Sequence, residues 1–485
     1  MENQVLPNEA LQQKVPMWKK VGYCFGGMTD TLVYDFAAIF LLFFMTDLAG
    51  INPAFAGTII TIGVLWDMIT DPIVGNIADR IHSRLGKKRT MLAIAIIPIL
   101  GSYMLLFTNF ESMTGGAKNA YFVIMSLMFW LSYTLFSIPY YSMGASLTGD
   151  NDERTKIRML GQIIQYVGVF ISNSAPTMMV TFFISKGMSD YNAWHYTAWI
   201  EAFLAALTLT IVFLCTKDTE LEFTKKEKSE EPKTNFFKDA IDVLKIKPYL
   251  LMTLASLAYR VGYCLVATCM TYFILYSCGL SMMAMSAFTA LISFGGIVII
   301  AGLMRAVNKF DKVKLYAYLQ FVTAAAMIIF NFIHIGSLPL LLFMGVLYLF
   351  GSAAYWSLNI PIMYDSIEVD EFQCGKRREG TMLSFYLFVQ KGGYAIAASV
   401  VGWVLAGTGY DDTLGAMNPQ PVLDAIQNMY CAGSGIFFAI SGLIVLLYPL
   451  KKGVYDKLYV QLENKRAGKE YNTEGFEKVL NKKYR

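Results

Sequence analysis

Long apolar runs separated by short charged loops set the pattern of this chain. A helix needs about 20 mostly apolar residues to cross about 30 Å of hydrocarbon. Twelve runs of that kind recur, at about 21–46, 55–79, 90–108, 120–147, 158–184, 193–215, 248–277, 283–306, 314–335, 338–364, 381–406 and 425–450. Lipid offers backbone groups no hydrogen-bond partner, so runs of this length predict helices rather than strands. The pattern therefore predicts an all-α, polytopic membrane protein. A charged stretch, 216–247, divides the runs six and six; it carries Lys217, Lys225, Lys226, Lys228, Lys233, Lys238, Lys245 and Lys247. The expected organisation is a six-helix bundle over 1–215, a cytoplasmic linker over 216–247, a second bundle over 248–450 and a cytoplasmic tail over 451–485.

The polar positions also orient the chain. Basic loops follow the even-numbered spans: Arg80, Arg84, Lys87, Lys88 and Arg89; then Arg154, Lys156 and Arg158; then the linker. Arg305, Lys309, Lys312 and Lys314, then Lys376, Arg377 and Arg378, and finally the tail from Lys451 continue the alternation. The opposite loops hold little basic charge beyond Lys118 and Lys186. The positive-inside rule places every basic loop, and with them both termini, in the cytoplasm, as an even number of spans requires. The two halves also echo each other. Ser137-Ile138-Pro139 in the fourth span is matched by Asn359-Ile360-Pro361 in the tenth, and the basic loop after span two by Arg305–Lys314 after span eight. A parallel repeat of six spans is the layout of the major facilitator fold, with a solute site between halves near mid-membrane.

Composition narrows the function. Of 485 residues, 55% are hydrophobic and 16% charged, too little charge for a soluble domain of this length. The net charge of +4 gives no reason to expect nucleic acid. Seven scattered cysteines without a CxxC pair argue against disulfides and zinc. The first ~17 residues are polar and lack the apolar core of a cleavable signal, so insertion falls to the first span. Only three histidines are present, and none lies mid-span beside a nucleophile, which makes a membrane-embedded enzyme a remote alternative.

Charges inside the spans carry the chemistry, because each costs about 2.5–3.5 kcal/mol even on insertion scales. Asp67 and Asp71, in Trp66-Asp67-Met68-Ile69-Thr70-Asp71-Pro72, share one helical face one turn apart. Two such anions repel unless a cation sits with them or one is protonated. Hard oxygen ligands suit sodium or a proton; the alternative is that the pair braces neighbouring helices. Pro72 leaves a backbone carbonyl one turn earlier without its usual donor. Asp30 and Asp35 of the first span lie among Gly26, Gly27 and Tyr34, a setting that suits solute hydroxyls or, alternatively, local pairing. Lys391, in Gln390-Lys391-Gly392-Gly393, is expected to pair with an intramembrane carboxylate and to act as a coupling element. Arg260 in the seventh span is expected either to meet an anionic solute group or to pack against aspartates.

At this point the residues resemble a known family. Asp67-x-x-Thr70-Asp71-Pro72-x-x-Gly75, followed by Ser83-Arg84-x-Gly86-Lys87, is similar to the helix-two signature of the glycoside–pentoside–hexuronide:cation symporters. So are Asp365-x-x-x-x-Asp370, Gly375-x-Arg377-x-Glu379-Gly380 and Lys391-Gly392-Gly393. The resemblance implies a sodium site from Asp67, Thr70, Asp71 and Thr134 with Lys391 beside it. It also implies sugar contacts near Asp30, Thr31 and Tyr34, at Ser137 and Tyr141, at Gln162 and at Trp356. Thr31 and Ser137 stand where the melibiose carrier of that family has aspartates, Gln162 where it has an arginine, and Tyr141 where it has a tryptophan. A galactosyl-gripping carboxylate pair is therefore not preserved, and a different solute is expected: a glucoside, pentoside or uronide. The expectation is a monomeric, multi-pass carrier in the cell (inner) membrane, coupling Na+ or H+ to a small glycoside by alternating access, with no cofactor beyond the coupling ion. Carriage of a lipid-like or other organic anion is the alternative.

Overall fold

Residues that read as lipid-length apolar runs form helices throughout a computed structural model that describes 15–81, 83, 85–108, 113, 115–144, 147, 151–217, 242–307, 309–375 and 379–480, with only the backbone described at 76, 79, 80, 151–156, 158, 159, 304, 379–381 and 384. His82, Arg84, most of the linker (218–241) and Lys376–Arg378 lie outside the described residues, as do the side chains of Asp79, Arg80, Arg154, Lys156, Arg158 and Glu379. The helices are α1 (Met17–Phe43), α2 (Pro53–Arg80), α3 (Lys87–Leu106), α4 (Gly115–Gly144), α5 (Asn151–Asn173), α6 (Ala175–Ser185), α7 (Asp190–Cys215) and α8 (Lys247–Tyr272). They continue with α9 (Met282–Val307), α10 (Lys312–Phe330), α11 (Leu338–Cys374), α12 (Glu379–Thr408), α13 (Gln420–Asn428), α14 (Ser434–Leu446) and α15 (Lys452–Arg466). Among the described residues, twelve stretches are long and apolar enough to cross a membrane.

Local chemistry sets the helix ends and interruptions. Asn52 begins α2 by accepting from the backbone N–H of Ala54 at 3.0 Å, with Pro53 at the first helical position, where a missing donor costs nothing. The fifth span is not one helix: α5 stops at Asn173 and α6 starts just before Pro176, whose ring cannot sit deep in a continuous helix. The tenth span runs well beyond the expected residue 364. α11 keeps helical geometry through the charged segment Asp365–Asp370 and stops only at Gly375, whose φ of 67° supplies the left-handed cap. Hydropathy falls at the membrane edge, whereas the helix ends where the backbone can turn. Single turns of π-helix, Phe44–Leu48, Phe273–Ser277 and Met429–Gly433, extend α1 and α8 and join α13 to α14.

Two compact units form. The first takes in Met1–Glu230 with Ser281–Ser293 and Gly402–Met417; the second takes in Glu231–Leu280, Phe294–Val401 and Asn418–Arg485. A division at the linker would instead give the start of α9 and the end of α12 to the second. Within the first unit α1 packs against α5 and α7, and α4 against α2 and α3. Hydroxyl pairs join the helices: Thr29 meets Thr208 at 2.8 Å, and Ser174 meets Thr289 at 2.8 Å. Such bonds hold helices together in lipid, where apolar contact brings little net gain.

Within the second unit α10 packs against α11 and α14, and α8 against α11 and α14. Lys312 and Asp365 form an ion pair at 2.7 Å. This places Asp365, part of the family-like motif, in a brace between α10 and α11. The tail is an ordered element. Arg466 grips Glu371 through two bonds of 2.7 Å, a bidentate geometry that only a guanidinium provides. Beyond α15 the chain folds back so that Phe476 meets Phe372 edge-on at 5.3 Å, and Phe476, Val479 and Leu480 are buried. The tail is thus docked on the end of α11.

The α1–α5 contact depends on glycine. A Cβ at Gly168 would lie 2.3 Å from Thr31 Oγ1 and 3.0 Å from the Met28 backbone, whereas one at Gly101 would meet nothing within 4 Å. Gly168→Val is expected to destabilise by about 1–3 kcal/mol through overpacking, with Gly101→Ala neutral or slightly stabilising. Thermal unfolding of both variants in detergent checks the contrast.

Candidate functional site

A cluster of oxygens sits where α2 faces α4. Asp67, Thr70 and Asp71 occupy consecutive turns of α2 on one side, just before Pro72 inside the helix. Asp67 and Thr134 are fully buried and Thr70 nearly so, while Asp71 is half-buried. Thr134, on α4, donates from Oγ1 to Asp67 Oδ1 at 2.5 Å. Its oxygen also lies 3.2 Å from Thr70 Oγ1, and Thr70 Oγ1 lies 3.1 Å from the carbonyl of Asp67. A hydroxyl has one proton to give. With the Thr134 proton committed to the carboxylate, Thr70 becomes the donor to either neighbour. The cluster thus presents hydroxyl lone pairs and the buried Asp67 carboxylate, with Asp71 half-buried one turn further along α2. A small hard cation, Na+ or H+, matches that donor set. Among the described residues, no three His, Cys, Asp or Glu side chains gather as they would for a transition metal.

A second cluster lies beside it in the same unit. Asp30 of α1 accepts from Tyr133 Oη at 2.7 Å and from Tyr141 Oη at 2.9 Å, one bond to each oxygen. Tyr34, Trp130 and Tyr133 form an aromatic corner with ring centroids 5.8–5.9 Å apart. Tyr141 is 56% exposed, so this cluster opens on one side. A carboxylate with aromatic faces at hand is the chemistry that grips vicinal hydroxyls and the C–H face of a sugar ring.

The other expected solute residues distribute unevenly. Thr31 is buried at the α1–α5 contact, with its hydroxyl donating to the Met28 carbonyl at 3.0 Å. Ser137 is buried on α4, and its hydroxyl has no hydrogen-bond partner among the described residues. Gln162 is exposed on α5 and donates to Gln165 at 3.0 Å, while Asp35 is half-buried on α1. In the second unit, Arg260 is 7% exposed and lies over the rings of Tyr263 (5.3 Å) and Trp356 (5.7 Å), with Trp356 half exposed. Lys391 is half-buried on α12.

Two groups of consequence are not among the residues expected from the sequence. Tyr133 and Trp130 share the α4 turn that carries Thr134; the spacing 130, 133, 134, 137, 141 marks one helical side and was the available signal. Glu201, on α7, is fully buried, and neither carboxyl oxygen has a hydrogen-bond partner among the described residues. Beyond Asp190 in the first turn it is the one acid of α7, and its burial is decided by packing that no local pattern records.

Comparison with known proteins gives the family and the fold. Residues 22–452 match the family model described as MFS/sugar transport protein. The chain is similar to the glucuronide carrier protein homolog of Escherichia coli (strain K12), 23% identical over 463 residues, covering 92% of this chain and 95% of that protein. It is likewise similar to the isoprimeverose transporter of Lactiplantibacillus pentosus, 24% identical over 455 residues, covering 93% and 92%. Among solved structures, the inward-open xylose transporter XylE from E. coli superposes with a TM-score of 0.61 at 14% identity, covering 93% of this chain and 98% of that one, a likeness of fold.

Thr134→Ala removes the donor to Asp67 without adding bulk. A hydrogen bond to a charged group contributes about 1.5–3 kcal/mol. The cation concentration that half-maximally raises the melting temperature is therefore expected to shift by roughly tenfold or more, with Thr134→Ser close to wild type.

Proposed function

We propose that this chain, which belongs to the MFS/sugar transport protein family and within it to the glycoside–pentoside–hexuronide:cation symporters, carries a small glycoside across the membrane together with a cation. It is a multi-pass membrane transporter and not an enzyme. The observation that carries the reading is the buried Asp67 carboxylate held by Thr134, with Thr70 and Asp71 completing a hard-oxygen cluster on an apolar helix. A charged carboxylate there costs several kcal/mol, which a bound sodium ion or proton offsets.

The mechanism follows from that charge balance. Cation arrival at Asp67 and Asp71 cancels their mutual repulsion and relaxes the hydroxyls around them. The adjoining cluster of Asp30, Tyr34, Tyr133 and Tyr141 accepts the solute, its carboxylate taking hydroxyl protons and its rings stacking on the sugar. Each ligand favours the state that the other favours, and the linkage is reciprocal, about 1–3 kcal/mol in typical cases. Alternation of access by the two halves then moves both ligands. Lys391 is taken as the coupling cation, and both termini are placed in the cytoplasm by the basic loops of the even-numbered spans. The expected membrane is the cell membrane and the expected unit a monomer. Arg260, buried over two rings, supports a second reading in which the solute carries a carboxylate, as a hexuronide does.

Proteoliposomes test both levels. With an imposed sodium or proton gradient, a panel of labelled glucosides, pentosides and hexuronides is expected to show gradient-driven accumulation of at least one member. Asp67→Cys and Asp71→Cys are expected to bring accumulation down to equilibrium while exchange of labelled for unlabelled solute persists. Full uphill uptake in both variants would refute the cation assignment. Arg260→Gln is expected to weaken a hexuronide more than a neutral pentoside; an equal effect on both would remove the anionic-solute reading.

A further inference from the structure

We infer that Glu201 is a proton-binding site of this carrier: a carboxyl closed into the junction of α1, α3 and α7 holds a proton there and releases it to water when that packing opens. The ligand is a proton, and the site stands apart from the Asp67 cluster. α7 packs chiefly against α1, α3 and α6, whereas Asp67 lies where α2 faces α4. The inference therefore does not depend on the cation reading given to Asp67.

Glu201 lies about 16 Å from the start of α7 and about 21 Å from its end, near the depth at which a charge is most costly. Two contacts fix what stands opposite. A Cβ at Gly22 of α1 would lie 2.1 Å from Cys215 Cβ, and Thr29 meets Thr208 at 2.8 Å. Between them α1 advances from 22 to 29 while α7 retreats from 215 to 208. One further step of the same size brings Phe36 level with Glu201. Phe36 is fully buried among Phe40, Tyr103 and Phe107, with ring centroids 4.9, 5.6 and 5.1 Å away. The nearby hydroxyls spend their protons elsewhere. Tyr103, near enough to interact electrostatically with Glu201, donates to the Leu32 carbonyl at 3.0 Å. Ser102 donates to Ser132 at 3.2 Å, and Thr197, one turn before Glu201, donates to the Ala193 carbonyl at 2.7 Å. Other titratable groups around α7 are engaged away from it: Asp30 with Tyr133 and Tyr141, Asp47 with Thr46 and Tyr410, His195 with the Phe107 carbonyl, and Arg89 with the Leu85 and Phe213 carbonyls. Asp35 precedes Phe36 and so lies about 100° round α1, and α6 carries no titratable side chain. Among the described residues, neither Glu201 oxygen has a hydrogen-bond partner.

A carboxylate closed in by rings and spent hydroxyls has nothing to stabilise its charge, and such a group neutralises by taking a proton. The neutral acid gains no hydrogen bond from these neighbours, so the packed arrangement draws nothing from it that an apolar side chain of the same length would not supply. Its chemistry becomes useful when α7 draws away from α1 and α3. Water then solvates the carboxyl, the O–H bond breaks with its electron pair left on the carboxylate, and the proton passes to water. The packed and open arrangements thus differ by one bound proton. Acid favours the packed arrangement and alkali the open one, which links the carrier's conformational balance to pH through this residue.

Infrared spectra of the detergent-purified full-length chain test this with the proton itself as probe. An ordinary glutamate titrates at about 4.3 and is ionised at neutral pH. The wild type is expected to show, at neutral pH, the carbonyl stretch of a protonated carboxyl that Glu201→Gln lacks. That band is expected to shift in deuterated water and to disappear at alkaline pH. Melting temperature reads the same proton. An unfolded chain releases it above the ordinary glutamate range, so the stability it contributes is complete below that range and is lost as pH rises to the point where the band disappears. Across that interval the wild type is expected to lose melting temperature relative to Glu201→Gln. Glu201→Met, of similar length and without oxygen, is expected to melt at or above the wild type at neutral pH, and it is the reference if the glutamine variant does not fold. Coincident carboxyl bands in wild type and variant at neutral pH would overturn the site. A band that survives unchanged at the highest pH the folded chain tolerates, or that does not shift in deuterated water, would overturn proton exchange. The band is expected to persist in Asp67→Asn, and its loss there would overturn the independence of the two sites.

Discussion

One carboxylate inside an apolar helix, Asp67, constrains the rest of this protein. In water such a group costs nothing. In a packed helical bundle it must be hydrogen-bonded, neutralised or joined by a cation, and each option costs or recovers several kcal/mol. The bond from Thr134 meets part of that requirement, since a hydroxyl stabilises the anion without cancelling its charge. On the proposed reading a small positive ion meets more of it, at a site that depends on α2 and α4 staying in register. That register is set by ordinary packing: α2 against α4, and Gly63 placed so that a Cβ would come within 2.4 Å of the Trp130 ring. On the proposed reading, stability and ion binding share the same contact.

From that contact the solute cluster follows with little further machinery. α4 presents Thr134 to Asp67 of α2 and Tyr133 to Asp30 of α1, so the residues that meet the two carboxylates are adjacent in sequence. On the proposed reading, a carboxylate and tyrosine rings recognise the solute. Thr31, Ser137 and Gln162 depart from the melibiose carrier's pattern, yet Asp30 still supplies an acid on α1, tied to tyrosines at 133 and 141.

Much of this was legible in the sequence, for identifiable reasons. Twelve spans, their helical nature and the Asp67–Asp71 pair follow from length, polarity and a four-residue spacing, all of which are local. The extension of α11 to Cys374 was not legible by hydropathy, because a helix continues through charged residues until a Gly375-type cap stops it. The break at Ser174 was signalled only by Pro176, which is compatible with either a kink or a restart. The family resemblance implies a solute contact near Thr31, whereas its burial depends on which face of α1 meets Gly168 of a distant span. Tyr133, Trp130 and Glu201 do not stand out in the sequence, because aromatic residues are plentiful in membrane helices and burial is a tertiary property. The docking of the tail rests on Arg466 and Glu371, 95 residues apart, a pairing that no periodicity encodes.

The most direct measurement is calorimetric sodium binding to the purified protein as pH is lowered, for wild type and Asp67→Asn. A cation held by Asp67 and its hydroxyl partners should bind saturably, compete with protons so that apparent affinity falls in acid, and vanish in the variant. Sodium binding that is unaffected by the Asp67→Asn change, or a wild type that takes up neither sodium nor protons at this site, would contradict it.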